Sequence, residues 1–209
     1  AVAKLNLETL QKRKLDEQQR ERLIQTTLQE ANRMNTLCNN MLLSSQIEAK
    51  GFHMSEEEIS LTELAQECVQ DFTTRFAGKK IHSHIQENIY VHGDRLLLQM
   101  AINNLLDNAI KYSTRETAIT ILLSQKDNAI TIQVKDEGKG IEGEEKKKIF
   151  DKFYRVGNAA TKAAKGTGLG LFLTKKIVLE HNGNISVTDN IPSGCIFTIT
   201  LQSSDLKNE

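Results

Sequence analysis

Residues 1–50 contain neither proline nor glycine, and Leu5, Leu10, Leu23, Leu28, Ala31, Met34, Cys38 and Met41 recur among them at helical spacing. The charged stretch QKRKLDEQQR (11–20) interrupts the rhythm, and Asp16 is placed to cap a second helix over about 16–48. A helix that long cannot bury its apolar stripe alone. The pattern therefore predicts an all-α helical hairpin over 1–50 that pairs with a second copy of itself, as in a four-helix bundle.

EAKGFHMSEEE (48–58) breaks the rhythm at Gly51 and reads as a hinge over 51–58, ahead of a mixed region over 59–209. A helix is expected over 60–77, with Leu61, Leu64, Ala65, Cys68, Val69 and Phe72 on one face. KKIHSHIQ (79–86) alternates with period two, as a strand does, and Tyr90–Val91 adds a short one. A helix over 94–112 follows, then two strands within 118–138 joined at KDN. GEEKKKIFDKFYR (143–155) starts as a short charged helix, and VGNAATKAAKGTG (156–168) is small, polar and expected to be mobile. A helix over 169–183, closed by Gly183, leads to a last hairpin over 184–201. This order predicts an α+β fold: a two-layer α/β sandwich, its mixed sheet mostly antiparallel with helices on one face, preceded by the hairpin.

A length of 209 residues suits one domain with an appendage. Lys and Arg total 27 against 27 Asp and Glu, so no broad nucleic-acid footprint is expected. Cys38, Cys68 and Cys195 are odd in number and lack CxxC spacing, which suggests buried thiols in a reducing compartment. No apolar run approaches the ~20 residues of a membrane-spanning helix, and there is no secretory signal. Ala1 stands inside a helical pattern, so the chain reads as part of something longer.

Several stretches carry chemistry. In NNLLDNAIKYS (103–113), Asn104 and Asn108 share a helix face, and a carboxamide facing a core is costly unless paired. Facing a ligand instead, an amide oxygen suits Mg²⁺, and Lys111 offers a point charge for phosphate. Tyr112 can offer a ring to a nucleotide. VKDEGKGIEG (134–143) ends a strand with Asp136, whose carboxylate could accept the exocyclic amine of adenine, followed by Gly138, Gly140 and Gly143. The spacing also matches the dinucleotide pattern G-x-G-x-x-G, but no parallel strand with an acidic residue follows. KGTGLGL (165–171) sets Gly166, Gly168 and Gly170 at a helix start, where backbone N–H groups can cradle phosphate.

Taken in order, N-x3-N-x2-K-Y-S, D-x-G-x-G, F-x2-F-x-R and G-x-G-x-G make the chain resemble the catalytic half of a sensor histidine kinase. That family belongs to the ATPase superfamily shared with gyrase, mismatch-repair and heat-shock chaperone ATPases. The segments resemble the N box, first glycine box, F box and second glycine box, and residues 1–48 resemble the rest of a dimerisation hairpin.

The resemblance implies ATP and Mg²⁺ as ligands. It implies that Asn108 ligates the metal, Asn104 supports the phosphates, Lys111 contacts phosphate and Tyr112 lies against adenine or ribose. It also implies that Asp136 binds the adenine amine, that Gly138 and Gly140 let the backbone approach, and that Ile141 packs on the base. Phe150 and Phe153 would anchor a lid over roughly 141–167, and Arg155 would reach the outer phosphates. Gly166, Thr167, Gly168, Leu169 and Gly170 would bring amides to the phosphates.

None of the five histidines fits the family's acceptor pattern, so the phosphorylated histidine is expected upstream, and no autophosphorylation is expected of this chain alone. His82 and His84 share a strand face but are read as ordinary strand residues rather than metal ligands. Cys195 stands where the family often has a hydroxyl residue, and Leu201–Gln202 where it usually has Leu-Pro. The implied partners are a response-regulator receiver domain and a second copy through the hairpin, in the cytoplasmic portion of a membrane-anchored parent. Two alternatives are a serine/threonine-directed anti-sigma-type kinase and a non-catalytic ATP-binding dimerisation module.

Overall fold

The computed structural model describes residues 2–13, 15–49, 52–156 and 166–204. The chain divides into two compact units, Ala1–Lys50 and Gly51–Glu209. In the first, α1 (Val2–Lys12) and α2 (Glu17–Glu48) form the expected hairpin. Asp16 caps α2 as its position suggested, Oδ1 accepting from the Gln19 N–H at 2.7 Å. Leu5, Leu28, Met34, Met41 and Leu42 remain exposed. No helix among the described residues is long and apolar enough to cross a membrane.

The second unit is the predicted α+β sandwich. Five strands pair in the order β2 (Lys80–Ile85), β4 (Ala118–Lys126), β5 (Ala129–Asp136), β7 (Cys195–Gln202) and β6 (Asn184–Asp189). Only β2–β4 is parallel. Period-two patterning sends Ile121, Val134 and Phe197 to one face in a single cross-strand row, and Leu123, Ile132 and Ile199 in the next. These residues are buried, whereas Thr120, Gln133 and Thr198 on the opposite face are partly exposed. A register slip of one residue would turn the apolar rows outward. Helices α3 (Leu61–Arg75), α4 (Arg95–Tyr112) and α6 (Gly170–Glu180) supply the covering layer, burying Leu64, Phe72, Leu98, Ile102, Leu105, Leu173 and Ile177. His82 and His84 lie exposed on the edge strand β2.

Cys68 and Cys195 are buried as expected, but Cys38 is exposed on α2. Two further local expectations are corrected. Glu57 and Glu58, placed in the hinge by sequence, begin β1 (Glu57–Ser60) and pair with Gly93 and His92 of β3 (Tyr90–Gly93). The period-two signal was hidden by the acidic run, and only Ile59 and Val91 mark the buried side. Helix α6 also ends at Glu180, and Asn182, not Gly183, takes the left-handed φ of 54°. Gly183 answers a different need, since a Cβ there would lie 2.6 Å from the Thr200 carbonyl oxygen and 2.7 Å from Leu201 Cδ2. Glycine lets the chain turn tightly onto β7.

The start of α4 is held from several sides. Asp94 Oδ1 accepts from the N–H groups of Leu96 and Leu97 at 3.0 and 3.1 Å, and its Oδ2 accepts from the Ser55 N–H at 3.3 Å. The Asp94 N–H donates to His181 Nε2 at 3.0 Å, while His181 Nδ1 donates to the Ile177 carbonyl at 2.7 Å. A Cβ on Gly93 would fall 2.3 Å from the His181 ring, so this contact requires glycine at 93. Replacing Asp94 by Ala leaves two N–H groups of the first turn of α4 without their acceptor. The expected cost is about 1 kcal/mol, read as a lowered urea midpoint at unchanged slope.

Candidate functional site

Asn104, Asn108, Lys111 and Tyr112 are spaced four, seven and eight residues from the first, which lines them along one side of α4. The other sequence-predicted segments meet this side at specific points. A Cβ on Gly138 would lie 2.5 Å from the Tyr112 carbonyl oxygen, so the segment after β5 touches the end of α4. A Cβ on Gly166 would lie 2.3 Å from Lys111 Nζ. One on Gly168, whose φ is +73°, would lie 2.7 Å from the Phe153 carbonyl carbon, and the Phe153 N–H donates to the Gly168 carbonyl at 3.0 Å. Gly138, Gly166 and Gly168 are therefore sites of close approach as much as of freedom.

Asn104 and Asn108 behave differently. Asn104 Nδ2 donates to the Gly170 carbonyl and to Thr174 Oγ1, both at 3.3 Å, so its amide group joins α4 to the start of α6. Thr174 is fully buried and donates back to the same carbonyl at 2.9 Å. Asn108 is half-buried, and its side chain makes no hydrogen bond with any described residue. Its carboxamide has both oxygen and nitrogen available to a ligand. Lys111 Nζ donates to the Tyr112 hydroxyl at 3.0 Å and lies 4.7 Å from that ring's centroid.

Asp136 is the last residue of β5, on the apolar face of the sheet, and is 5% exposed. Its Oδ1 accepts from the N–H groups of Gly138 at 2.9 Å and Cys195 at 3.4 Å. No described residue donates to its Oδ2, which leaves one acceptor for a donor from outside the protein. Burial raises the carboxyl above the ordinary carboxylate range, opposed by those two N–H donors and by the charge on Lys79. Ile141 is half-buried nearby in sequence, and burial together with the Asp136 charge pushes the Cys195 thiol up to about 11.

The F-box segment is anchored on both sides. Phe150 is buried, with Lys175 Nζ 5.9 Å from its ring, and Phe153 is half exposed with a left-handed φ of 65°. The Tyr154 hydroxyl donates to Glu145, while Lys146 pairs with Asp189 at 2.6 Å. Arg155 is half-buried. Thr167 Oγ1 accepts from the Leu169 N–H at 3.3 Å, and Leu169 is fully buried. Of the lid proposed over 141–167, residues 157–165 lie outside the described residues.

Sequence reasoning overlooked four contributors. Thr174, His181 and Asn190 engage Asn104, Asp94 and Asp136 respectively, and Lys79 donates to the Thr114 carbonyl and to Thr117 Oγ1 at the end of α4. The turn chemistry of NIPSG (190–194) was legible, but only as a hairpin loop.

The raised Asp136 carboxyl has a consequence for stability. An acid harder to ionise in the folded state than in the unfolded one weakens folding as pH rises from the ordinary carboxylate range (about 3.9) through the folded-state value. The whole cost is present above that value. Asp136→Asn keeps an acceptor for Gly138 and removes the charge, so its urea midpoint at pH 7 is expected to equal or exceed wild type. The advantage should shrink in acid, where the wild-type group is protonated as well.

Residues 93–205 match the model of the histidine kinase-, DNA gyrase B- and HSP90-like ATPase family. Sensor protein CiaH of Streptococcus pneumoniae serotype 4 is 45% identical over 108 residues, covering 52% of this chain and 24% of CiaH. Sensor protein SrrB of Staphylococcus aureus is 29% identical over 185 residues, covering 83% of this chain and 30% of SrrB. The chain thus spans less than a third of the length of these relatives. A chain in the crystal structure of histidine kinase ThkA in complex with response regulator protein TrrA has the same fold, with a TM-score of 0.77 at 23% identity. The match covers 99% of this chain and 58% of that one.

Proposed function

Because the chain belongs to the histidine kinase-, DNA gyrase B- and HSP90-like ATPase family, we propose that it is the ATP-binding part of a sensor histidine kinase. In this reading it holds Mg-ATP beside α4 and delivers the γ-phosphate to a histidine on a segment outside these residues, from which it passes to an aspartate of a response-regulator receiver domain. The observation that carries the reading is the pairing of two groups without a side-chain partner among the described residues: the Asn108 carboxamide on α4 and Oδ2 of the buried Asp136.

The residues divide the nucleotide between them. Asp136 accepts the adenine amine, Gly138 and Gly140 admit the base, and Tyr112 and Ile141 flank it. Lys111 and the backbone N–H groups from Gly166 through Thr167, Gly168, Leu169 and Gly170 hold the phosphates, helped by the partial positive charge at the start of α6. Arg155 offsets outer phosphate charge. Asn104, bound to Gly170 and Thr174, acts by fixing that helix start, which refines its expected support of the phosphates. The Asn108 oxygen fits a hard divalent cation, and Mg²⁺ held there with phosphate oxygens would neutralise charge as phosphoryl transfer proceeds. Transfer of this kind needs position and charge stabilisation more than covalent help from the protein.

The proposed organisation is a partial dimerisation hairpin over 1–50, a hinge before β1 and a catalytic domain that begins with β1 at Glu57, in the cytoplasmic portion of a membrane-anchored sensor. The exposed Leu5, Leu28, Met34, Met41 and Leu42 support pairing with a second copy through the hairpin. The relatives named sensor protein and the ThkA–TrrA complex support the receiver-domain partner.

Titration calorimetry with Mg-ATP is expected to give saturable heat that weakens at least about tenfold in Asn108→Ala. Equal binding by both proteins removes the metal assignment. Mixed with ATP and a hairpin that carries an acceptor histidine, the chain should yield an acid-labile phosphoprotein, whereas alone it should yield none. An acid-stable product would point instead to a serine/threonine-directed kinase.

A further inference from the structure

Asp136 is gripped by the loop that joins β6 to β7. Asn190 Nδ2 donates to the Asp136 carbonyl at 2.9 Å, and the Cys195 N–H donates to Asp136 Oδ1 at 3.4 Å. The loop closes on itself through the Asn190 N–H and the Gly194 carbonyl at 3.0 Å, while Asn190 Oδ1 accepts from the Ile191 N–H at 3.0 Å. Gly194 has a φ of +104°, and a Cβ there would lie 1.9 Å from the Asp136 carbonyl oxygen. No other residue could bring the loop that close. The strand partner Ile119 sits opposite Asp136 on the far side, so the loop is what holds the residue on its β7 side.

We propose that the β6–β7 loop, acting through the Asn190 side chain, is the positioning device for base recognition. Asn190 need not touch the nucleotide. It holds the end of β5 so that Oδ2 of Asp136, to which no described residue donates, faces the exocyclic amine. The inference rests on the assignment of Asp136 to the base and adds the residue that sets its geometry. A carboxamide is needed because two opposite demands meet at one side chain: a donor toward Asp136 and an acceptor toward Ile191.

Asn190→Asp separates these demands. It keeps an acceptor for Ile191 and so preserves the turn, but it turns an oxygen toward the Asp136 carbonyl in place of the donor. The readout is the ratio of affinities for ATP and for purine riboside triphosphate, which lacks the amine. Wild type should prefer ATP, and Asn190→Asp should lose about five- to tenfold of that preference while binding the amine-free nucleotide as wild type does. Asn190→Ala should lose less, having no opposed oxygen. If Asn190→Asp keeps the wild-type preference, or weakens both nucleotides equally, the loop is only structural and the proposal fails. If wild type itself binds both nucleotides alike, the base assignment of Asp136 has failed, and this inference falls with it. If wild type binds neither, the nucleotide-binding reading itself is lost.

Discussion

Helix α4 meets α6 at two separate points, and the rest of the site is arranged around that pair. At one, His181 near the end of α6 receives the Asp94 N–H at the start of α4; at the other, Asn104 of α4 reaches Gly170 and Thr174 at the start of α6. The two helices therefore run antiparallel with register set at both contacts. Magnitudes separate the roles of the two kinds of interaction. Each buried Leu or Ile of α4 contributes about 1.5–3 kcal/mol, whereas a hydrogen bond nets about 1 kcal/mol. Apolar burial keeps the helices together, but it is tolerant of small slides. The directional bonds determine which slide is adopted, and so where Asn108 and Lys111 face relative to the glycine segment at 166–170.

The same division appears at Asp136. The cross-strand rows of Ile, Val and Phe hold β5 in the middle of the sheet, and they would do so whichever residue ended the strand. Ending it with a carboxylate on the apolar face works against stability, since burial disfavours the charged form and among the described residues only Oδ1 is paired. A charge kept in an unfavourable setting, with one oxygen unsatisfied, fits a group whose partner arrives from solution better than it fits a core residue. Asn108 is the counterpart on α4, a carboxamide at a half-buried position without a side-chain partner among the described residues.

Much of this was legible in the residues. Amphipathic spacing located α3, α4 and the hairpin, and period-two alternation located β2, because both periods follow directly from local backbone geometry, while the KDN turn marked the β4–β5 pair. Asn108 was singled out because a carboxamide beside apolar positions needs a reason, and Asp136 because a carboxylate ends a strand two residues before the first of three glycines. What escaped detection depends on long-range contact. The Glu57–Ser60 strand exists only through pairing with Tyr90–Gly93. Asn104 looked equivalent to Asn108, and only the approach of α6 distinguishes a bonded carboxamide from an unbonded one. Gly183 had the composition of a helix stop, yet the left-handed residue is Asn182 and the glycine is demanded by β7.

The glycines extend this point. Read along the chain, Gly166, Gly168 and Gly170 form one phosphate-cradling motif. In space each faces a different neighbour: Gly166 the Lys111 ammonium, Gly168 the Phe153 backbone and Gly170 the Asn104 carboxamide. Removing a Cβ at these three places draws the F-box segment, the lysine and α4 toward one short stretch of backbone. The N–H groups of that stretch can then serve an anion only because the side chains that would have kept α4 and Phe153 away are missing. A glycine motif of this kind is therefore a packing instruction first, and its affinity for phosphate follows from the geometry that the packing leaves.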